Sequence, residues 1–161
     1  MPDPSNLDAA EPQIAVSQDG PNKLVMVARS IGTQTRAATA TSSDGGLTWT
    51  PFTLDSNLPS LNAKVQFIKD SNGQYLSLYN TATNRDVLNY KTKRPGAAWS
   101  AGTFFANGAT ADKDPDQQGT TGAGWDTYPM ADEYAPGKFY VAGEFDTSRI
   151  KVNKLDISDA P

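Results

Sequence analysis

The sequence predicts an all-β fold of about three four-stranded, blade-like sheets, and three observations carry that prediction. Apolar runs are short, rich in Val, Ile, Tyr and Phe, and broken by Gly, Asn, Asp or Pro about every 8–12 residues, while helical periodicity is nearly absent. A turn followed by an alternating strand recurs along the chain with a period near 50 residues. One connection also carries a turn motif that is intact at every fixed position. A β-sandwich with chance internal similarity is the competing architecture.

In chain order, strands are expected at 13–16, 23–29, 36–41 and 48–54 for a first blade, and at 64–68, 74–80, 87–91 and 99–105 for a second. A third blade has only 128–133, 138–144 and 149–153, with 154–157 as a candidate further strand. The repeat rests on Gln18-Asp19-Gly20-Pro21-Asn22-Lys23-Leu24-Val25-Met26-Val27, Asp70-Ser71-Asn72-Gly73-Gln74-Tyr75-Leu76-Ser77-Leu78-Tyr79 and Tyr134-Ala135-Pro136-Gly137-Lys138-Phe139-Tyr140-Val141. Lys23 and Gln74 are 51 apart, Trp49 and Trp99 are 50 apart, and Lys138 follows Gln74 by 64 because of a polar insert at 106–126. About four strands per repeat of this length is the pattern of propeller blades. The expected organisation is an extension over 1–10, a partial propeller over 11–157 with blades near 11–55, 62–105 and 127–157, and a disordered tail over 158–161.

Composition narrows the chemistry. The chain has 161 residues, 37% hydrophobic and 20% charged, with a net charge of −4, no His and no Cys. Disulfides, thiolate nucleophiles, Ser-His-Asp triads and His- or Cys-built zinc sites are thereby excluded. The acidic balance and the absence of any Lys/Arg run argue against nucleic acid and polyanions as partners. No stretch approaches ~18 apolar residues, so no membrane helix is expected, and the absence of a Lys/Arg run leaves membrane binding without support. The start, Met1-Pro2-Asp3-Pro4, does not read as a signal peptide. Any reaction must therefore use Asp, Glu, Tyr, Arg, Lys or Ser.

The intact motif is Ser42-Ser43-Asp44-Gly45-Gly46-Leu47-Thr48-Trp49, which fits S-x-D-x-G-x-T-W. It suits a tight hairpin in which Asp44 accepts backbone N–H bonds, the glycines take positive φ and Trp49 packs under the turn. Its role is structural. Thr92-Lys93-Arg94-Pro95-Gly96-Ala97-Ala98-Trp99 is a decayed copy that keeps Gly96 and Trp99. The motif resembles the Asp-box, or BNR repeat, of the sialidase (neuraminidase) superfamily. The likeness runs from Glu11 to Ile157 and is similar to the C-terminal half of a six-bladed sialidase-like propeller.

Four segments carry that resemblance in the family's order. Glu11-Pro12, a strand and Val27-Ala28-Arg29-Ser30 precede the Asp-box, with Glu11 and Arg29 18 apart. Leu78-Tyr79-Asn80-Thr81-Ala82-Thr83-Asn84-Arg85 resembles an Asn-rich turn ending in an arginine. Thr127-Tyr128-Pro129 resembles the segment of the nucleophilic tyrosine. Gly143-Glu144-Phe145 with Arg149-Ile150-Lys151-Val152 is similar to the closing strand pair, with no catalytic role implied, although Glu144 is placed where it can face the centre.

The resemblance implies Tyr128 as nucleophile, Glu11 as its base, and Arg29 and Arg85 as clamps on a substrate carboxylate. The chemistry is coherent. Arginine forks bind a carboxylate bidentately where lysine does so poorly. A neutral tyrosine avoids the repulsion an anionic nucleophile would meet beside a carboxylated sugar, but with a free pKa of about 10 it needs a base. Sialidases are in this way an exception to the paired-carboxylate rule of glycosidases. Each residue also has a plain reading: Glu11 as a loop acid, Arg29 as surface, Arg85 paired with Asp86, Tyr128 as core. Two departures stand against the likeness. Nothing in the chain corresponds to the family's first clamp arginine or its acid/base aspartate, and Pro129 follows the tyrosine where a small residue is usual, as in wider BNR-type relatives.

Trp125 is a candidate for stacking on a sugar ring or for pinning the insert. No cofactor is expected. Asp112-Lys113-Asp114-Pro115-Asp116 has calcium-like carboxylate spacing, but Gln117 and Ala123 break the EF-hand pattern, and a solvated acidic loop is the better reading. The expected function is part of an exo-α-sialidase-type hydrolase of terminal carboxylated sugars. The alternative is a non-catalytic propeller module for carbohydrate binding or assembly. Expected partners are a carboxylated glycan and either the missing N-terminal propeller half or a second copy of the chain, since three blades alone leave open edges. The resemblance places the parent protein outside the cytoplasm: extracellular, periplasmic or virion-associated.

Overall fold

A computed structural model describes residues 7–61, 63–81, 85, 87–107, 126–145 and 149–160. Those residues form eleven strands and no helix: β1 (Ala9–Val16), β2 (Leu24–Ser30), β3 (Arg36–Ser42), β4 (Thr53–Pro59), β5 (Gln66–Lys69), β6 (Tyr75–Asn80), β7 (Val87–Lys93), β8 (Thr103–Asn107), β9 (Asp126–Ala135), β10 (Lys138–Phe145) and β11 (Arg149–Asp156). They make three antiparallel meanders, β1-β2-β3-β4, β5-β6-β7-β8 and β9-β10-β11, each strand pairing with its neighbours in sequence. These are propeller-type blades, and among the described residues they do not close into a barrel.

The middle sheet packs on both sides because β6 alternates two apolar sets. Tyr75 and Tyr79 point one way and join Phe67 and Val65 against Val27, Ala37 and Leu58 of the first sheet. Leu76 and Leu78 point the other way and join Leu88 against Phe139, Val141, Leu155 and Ile157 of the third. A period of two puts successive side chains on opposite faces, so a strand buried on both faces reads as a continuous apolar run. All six residues of β6 are buried. Polar pins add direction to the stacking. Gln18 Nε2 donates to the carbonyls of Gly73 and Lys93, both at 2.8 Å. Ser71 donates its N–H (2.8 Å) and its hydroxyl (2.9 Å) to the Glu133 carboxylate.

The Asp-box is the connection from β3 to β4. Asp44 Oδ1 accepts from Ser42 Oγ (2.7 Å) and from the Thr48 N–H (2.9 Å), while Oδ2 accepts from the Thr48 hydroxyl at 2.5 Å. These bonds hold the carboxyl at about 2, well below its ordinary 3.8, with the Thr48 hydroxyl the largest cause. Gly46, at φ 96°, has Leu24 so near that a Cβ would lie 3.2 Å from it, and its carbonyl accepts the Trp49 indole N–H at 3.1 Å.

The structure departs from the expected elements in several places. β1 starts at Ala9 rather than 13 and takes in two residues of the expected extension, because Ala9 pairs with Ser30 and Ala10 with Arg29. The fourth strands start later, at Thr53 and Thr103 rather than 48 and 99. The reason is the turn: the N–H of Thr50 bonds the carbonyl of Thr41 and the N–H of Ser100 that of Thr92, so the residues through the tryptophans close the hairpin before the ladder resumes. Residues 154–156 continue β11 rather than forming a separate strand, since Asp156 pairs with Lys138. The expected disorder of the tail is corrected for 158–160. The Ser158 N–H and hydroxyl bond Asp156, the Ala160 N–H bonds the Ile157 carbonyl, and Ser158 lies so close to Gly137 that a Cβ there would sit 2.9 Å from its Cα. Ile157 is fully buried and anchors this turn.

Candidate functional site

The strand register makes positions in the three sheets equivalent. In the first sheet Ala10 pairs with Arg29 and Gln13 with Val27, so Glu11 and Pro12 form a bulge opposite Ala28. In the third, Thr127 pairs with Glu144 and Met130 with Ala142, so Tyr128 and Pro129 form the same bulge opposite Gly143. A bulge re-aims a side chain out of the pleat. Arg29, Asn80 and Glu144 each stand six residues beyond the equivalent positions Lys23, Gln74 and Lys138. All therefore sit at the same end of the stacked sheets. The Asp-box lies at the other end, where Gly45 bonds Asn22 ahead of β2.

Among the described residues, the non-glycine residues with left-handed backbone are Glu11 (φ 55°), Arg85 (φ 62°) and Tyr128 (φ 48°). Such a conformation costs on the order of 1–2 kcal/mol for an L-residue. Glu11 and Tyr128 also precede prolines, whose rings normally drive the preceding residue to extended backbone. Three of the four residues assigned to chemistry from the sequence thus stand in strained backbone at one end of the blades.

The four assigned residues meet in two pairs. Arg29 Nε lies 3.2 Å from Glu11 Oε2, both side chains being partly buried at 17% and 27% exposure. This is an ion pair by proximity, since the geometry falls short of a hydrogen bond between those two atoms. Arg85 Cζ stands 5.7 Å from the centroid of the Tyr128 ring, within cation–π range. Glu11 and Tyr128 share no hydrogen bond among the described residues. Trp125 and the calcium-like spacing at 112–116 lie outside the described residues. No group of three or more Asp or Glu side chains suited to a metal is found among the described residues.

Asn80, which the sequence marks only as part of an Asn-rich turn, has a structural role in the site. It is fully buried at the end of β6. Its Nδ2 donates to the carbonyls of Arg85 (3.2 Å) and Val87 (3.1 Å), and its Oδ1 accepts from the buried Thr127 hydroxyl at 3.4 Å. One side chain thus fixes the left-handed Arg85 and the residue before Tyr128, across the boundary between two sheets. The available signal was an asparagine closing an otherwise apolar strand, where burial demands partners for both ends of its amide.

Chemically, the arrangement offers two guanidinium groups, a carboxylate and a phenol at one blade end, with no imidazole or thiol in the chain. Comparison with known families places residues 2–144 on the model of the BNR repeat-like domain. No curated protein matches the chain.

Proposed function

From the premise that the chain belongs to the BNR repeat-like family, we propose that its strained blade end is part of a sialidase-like glycoside hydrolase site for terminal carboxylated sugars. The observation that carries this reading is the coincidence of left-handed backbone with Glu11, Arg85 and Tyr128, because strain of this kind persists where side-chain placement matters. Arg29 and Arg85 bind the sugar carboxylate. Tyr128 Oη attacks the anomeric carbon, the glycosidic C–O bond breaks, and the phenolic proton passes to Glu11. Water then attacks the anomeric carbon, the bond from that carbon to Tyr128 Oη breaks, Glu11 returns its proton to Tyr128, and the proton lost by the water passes to solvent or to the departed aglycone.

Two conditions attach to that sequence. Glu11 is ion-paired with Arg29, and it reaches Tyr128 once a substrate carboxylate takes its place on the guanidinium. The leaving oxygen also needs a proton donor for ordinary alkyl glycosides, and none of Glu11, Arg29, Arg85 and Tyr128 is assigned that role. An aryl glycoside, whose phenolate departs unaided, bypasses that donor. The first test is therefore hydrolysis of a fluorogenic aryl α-sialoside by the full chain. Turnover abolished by Tyr128→Phe supports the proposal.

The second reading is a carbohydrate-binding or assembly module without turnover. It is favoured by the missing Glu11–Tyr128 hydrogen bond. Sialoside binding that survives Tyr128→Phe, with no hydrolysis by the unaltered chain, selects it.

A further inference from the structure

The register equivalence reaches beyond the site, to the two outer faces of the three-sheet stack. On β7, Leu88 pairs with Asn80, and on β11 Ile150 pairs with Glu144, so Leu88 and Ile150 are equivalent. Leu88 is 3% exposed because the third sheet covers it, whereas Ile150 is 79% exposed. Around Ile150 the same face carries Val152, Tyr140 and Met130, all exposed. On β10, Tyr140 and Ala142 correspond to Leu76 and Leu78 of β6, which carry the packing of the second sheet onto the third. The third sheet thus presents a largely apolar copy of a face that is covered elsewhere in the molecule, with the exposed Lys154 and Asp132 paired on either side of Tyr140.

The outer face of the first sheet is the complementary kind. Ile14 pairs with Met26 as Phe67 pairs with Ser77, so Ile14 is the equivalent of Phe67. Phe67 is 3% exposed against the first sheet, and Ile14 is 54% exposed, with Val16 beside it also exposed. Each internal boundary joins a face of the Leu88 kind to a face of the Phe67 kind. The two open faces are one of each.

We propose that these faces dock on one another between copies of this chain, the Ile150 face of one copy taking the Ile14 face of a second, in continuation of the packing already used twice within the chain. Two copies carry six sheets, inside the range of about 4–8 over which propellers close. Closure uses both faces of each copy in two identical head-to-tail contacts. It removes an exposed apolar surface that a lone stack keeps in water. It also turns the Glu11 and Tyr128 blade ends of both copies to the same end of one ring.

The test is the mass of the full chain by size-exclusion chromatography with light scattering, at about 1 to 100 μM, alongside Ile14→Asp and Ile150→Asp. Both substitutions fall on exposed side chains, and circular dichroism checks that each variant stays folded. Expected are a particle of twice the chain mass, at least a tenfold weaker association for either variant alone, and recovery of paired particles on mixing the two variants, since the mixed pair keeps one unaltered contact. A folded monomer throughout overturns the proposal, as does an open-ended polymer. Loss of pairing in only one variant also overturns it, because that outcome means one face pairs with its own kind and the other takes no part. Should either aspartate variant misfold, Ile14→Ser and Ile150→Ser replace them with the same expectations.

Discussion

Glu11 and Tyr128 occupy the same place in two different sheets: each is the left-handed first residue of a two-residue bulge, each is followed by proline, and each faces the end of the second strand of its blade. A carboxylate and a phenol have been placed by one backbone device used twice. The partner across the ladder differs. Glu11 meets Arg29, and Tyr128 stands beside the position of Glu144, with Arg85 reaching its ring from the neighbouring sheet.

The arginines are expected to act as forks and not merely as charges. Arg29→Lys and Arg85→Lys each keep the positive charge and lose bidentate geometry. A charge-assisted hydrogen bond is worth about 1.5–3 kcal/mol, so each change should weaken binding of a sialoside by roughly 10–100-fold. Titration by calorimetry or ligand-detected NMR reads this directly. An affinity unchanged by both substitutions removes the carboxylate clamp from the account.

Asn80→Leu should damage stability and site together. It keeps the approximate size but removes both amide donations and leaves the buried Thr127 hydroxyl without its Asn80 acceptor, at a cost of about 1–3 kcal/mol for a buried group left without a partner. Val87 is less affected, since its carbonyl also accepts the Thr81 N–H at 3.0 Å. Urea denaturation should show the loss, and the tyrosine fluorescence response to sialoside should weaken because Arg85 and Tyr128 are no longer held together. Asn80→Asp, which keeps the acceptor for Thr127, should recover less than half of the loss, because both Nδ2 donations are still missing.

The Asp-box sets an acid limit on stability. Asp44 titrates at about 2 in the folded chain against an ordinary 3.8. A folded value below the unfolded one means that its contribution is complete above about pH 4 and is lost as pH falls through about 2. Asp156, held at about 2 mainly by the Ser158 hydroxyl, acts with the same sign in the same window. Burial pushes Asp70 up, giving it the opposite sign. The quantity to measure is therefore the difference between the unaltered chain and Asp44→Asn in thermal melts from pH 5 to 2. The difference should be constant above pH 4 and shrink below it. A gap that widens with acid contradicts the assignment.

What the sequence made legible follows from local patterning. The alternation of β6 and the glycines of the Asp-box are short-range signals, and the 51-residue repeat shows them recurring, so the all-β class, the three antiparallel sheets and the hairpin were readable. The spacing of Glu11 and Arg29 was legible because two paired strands bring them together across a single hairpin. The left-handed backbone at Glu11 and Tyr128 was not legible, because the following proline argues for extended backbone and only the bulge overrides it. The role of Asn80 depends on a contact between sheets, Thr127 lying 47 residues away, and no local pattern reports such a contact. The tryptophan stretches misled because Trp49 and Trp99 look like strand residues while the turn claims the backbone around them.

The most direct test of the central claim is intact-mass spectrometry of the full chain, acid-quenched within milliseconds of mixing with an aryl α-sialoside. The account predicts a transient adduct of one sialosyl group, mapped by peptide digestion to Tyr128 and absent in Tyr128→Phe. Hydrolysis with no adduct on Tyr128, or an adduct on any other residue, would contradict it.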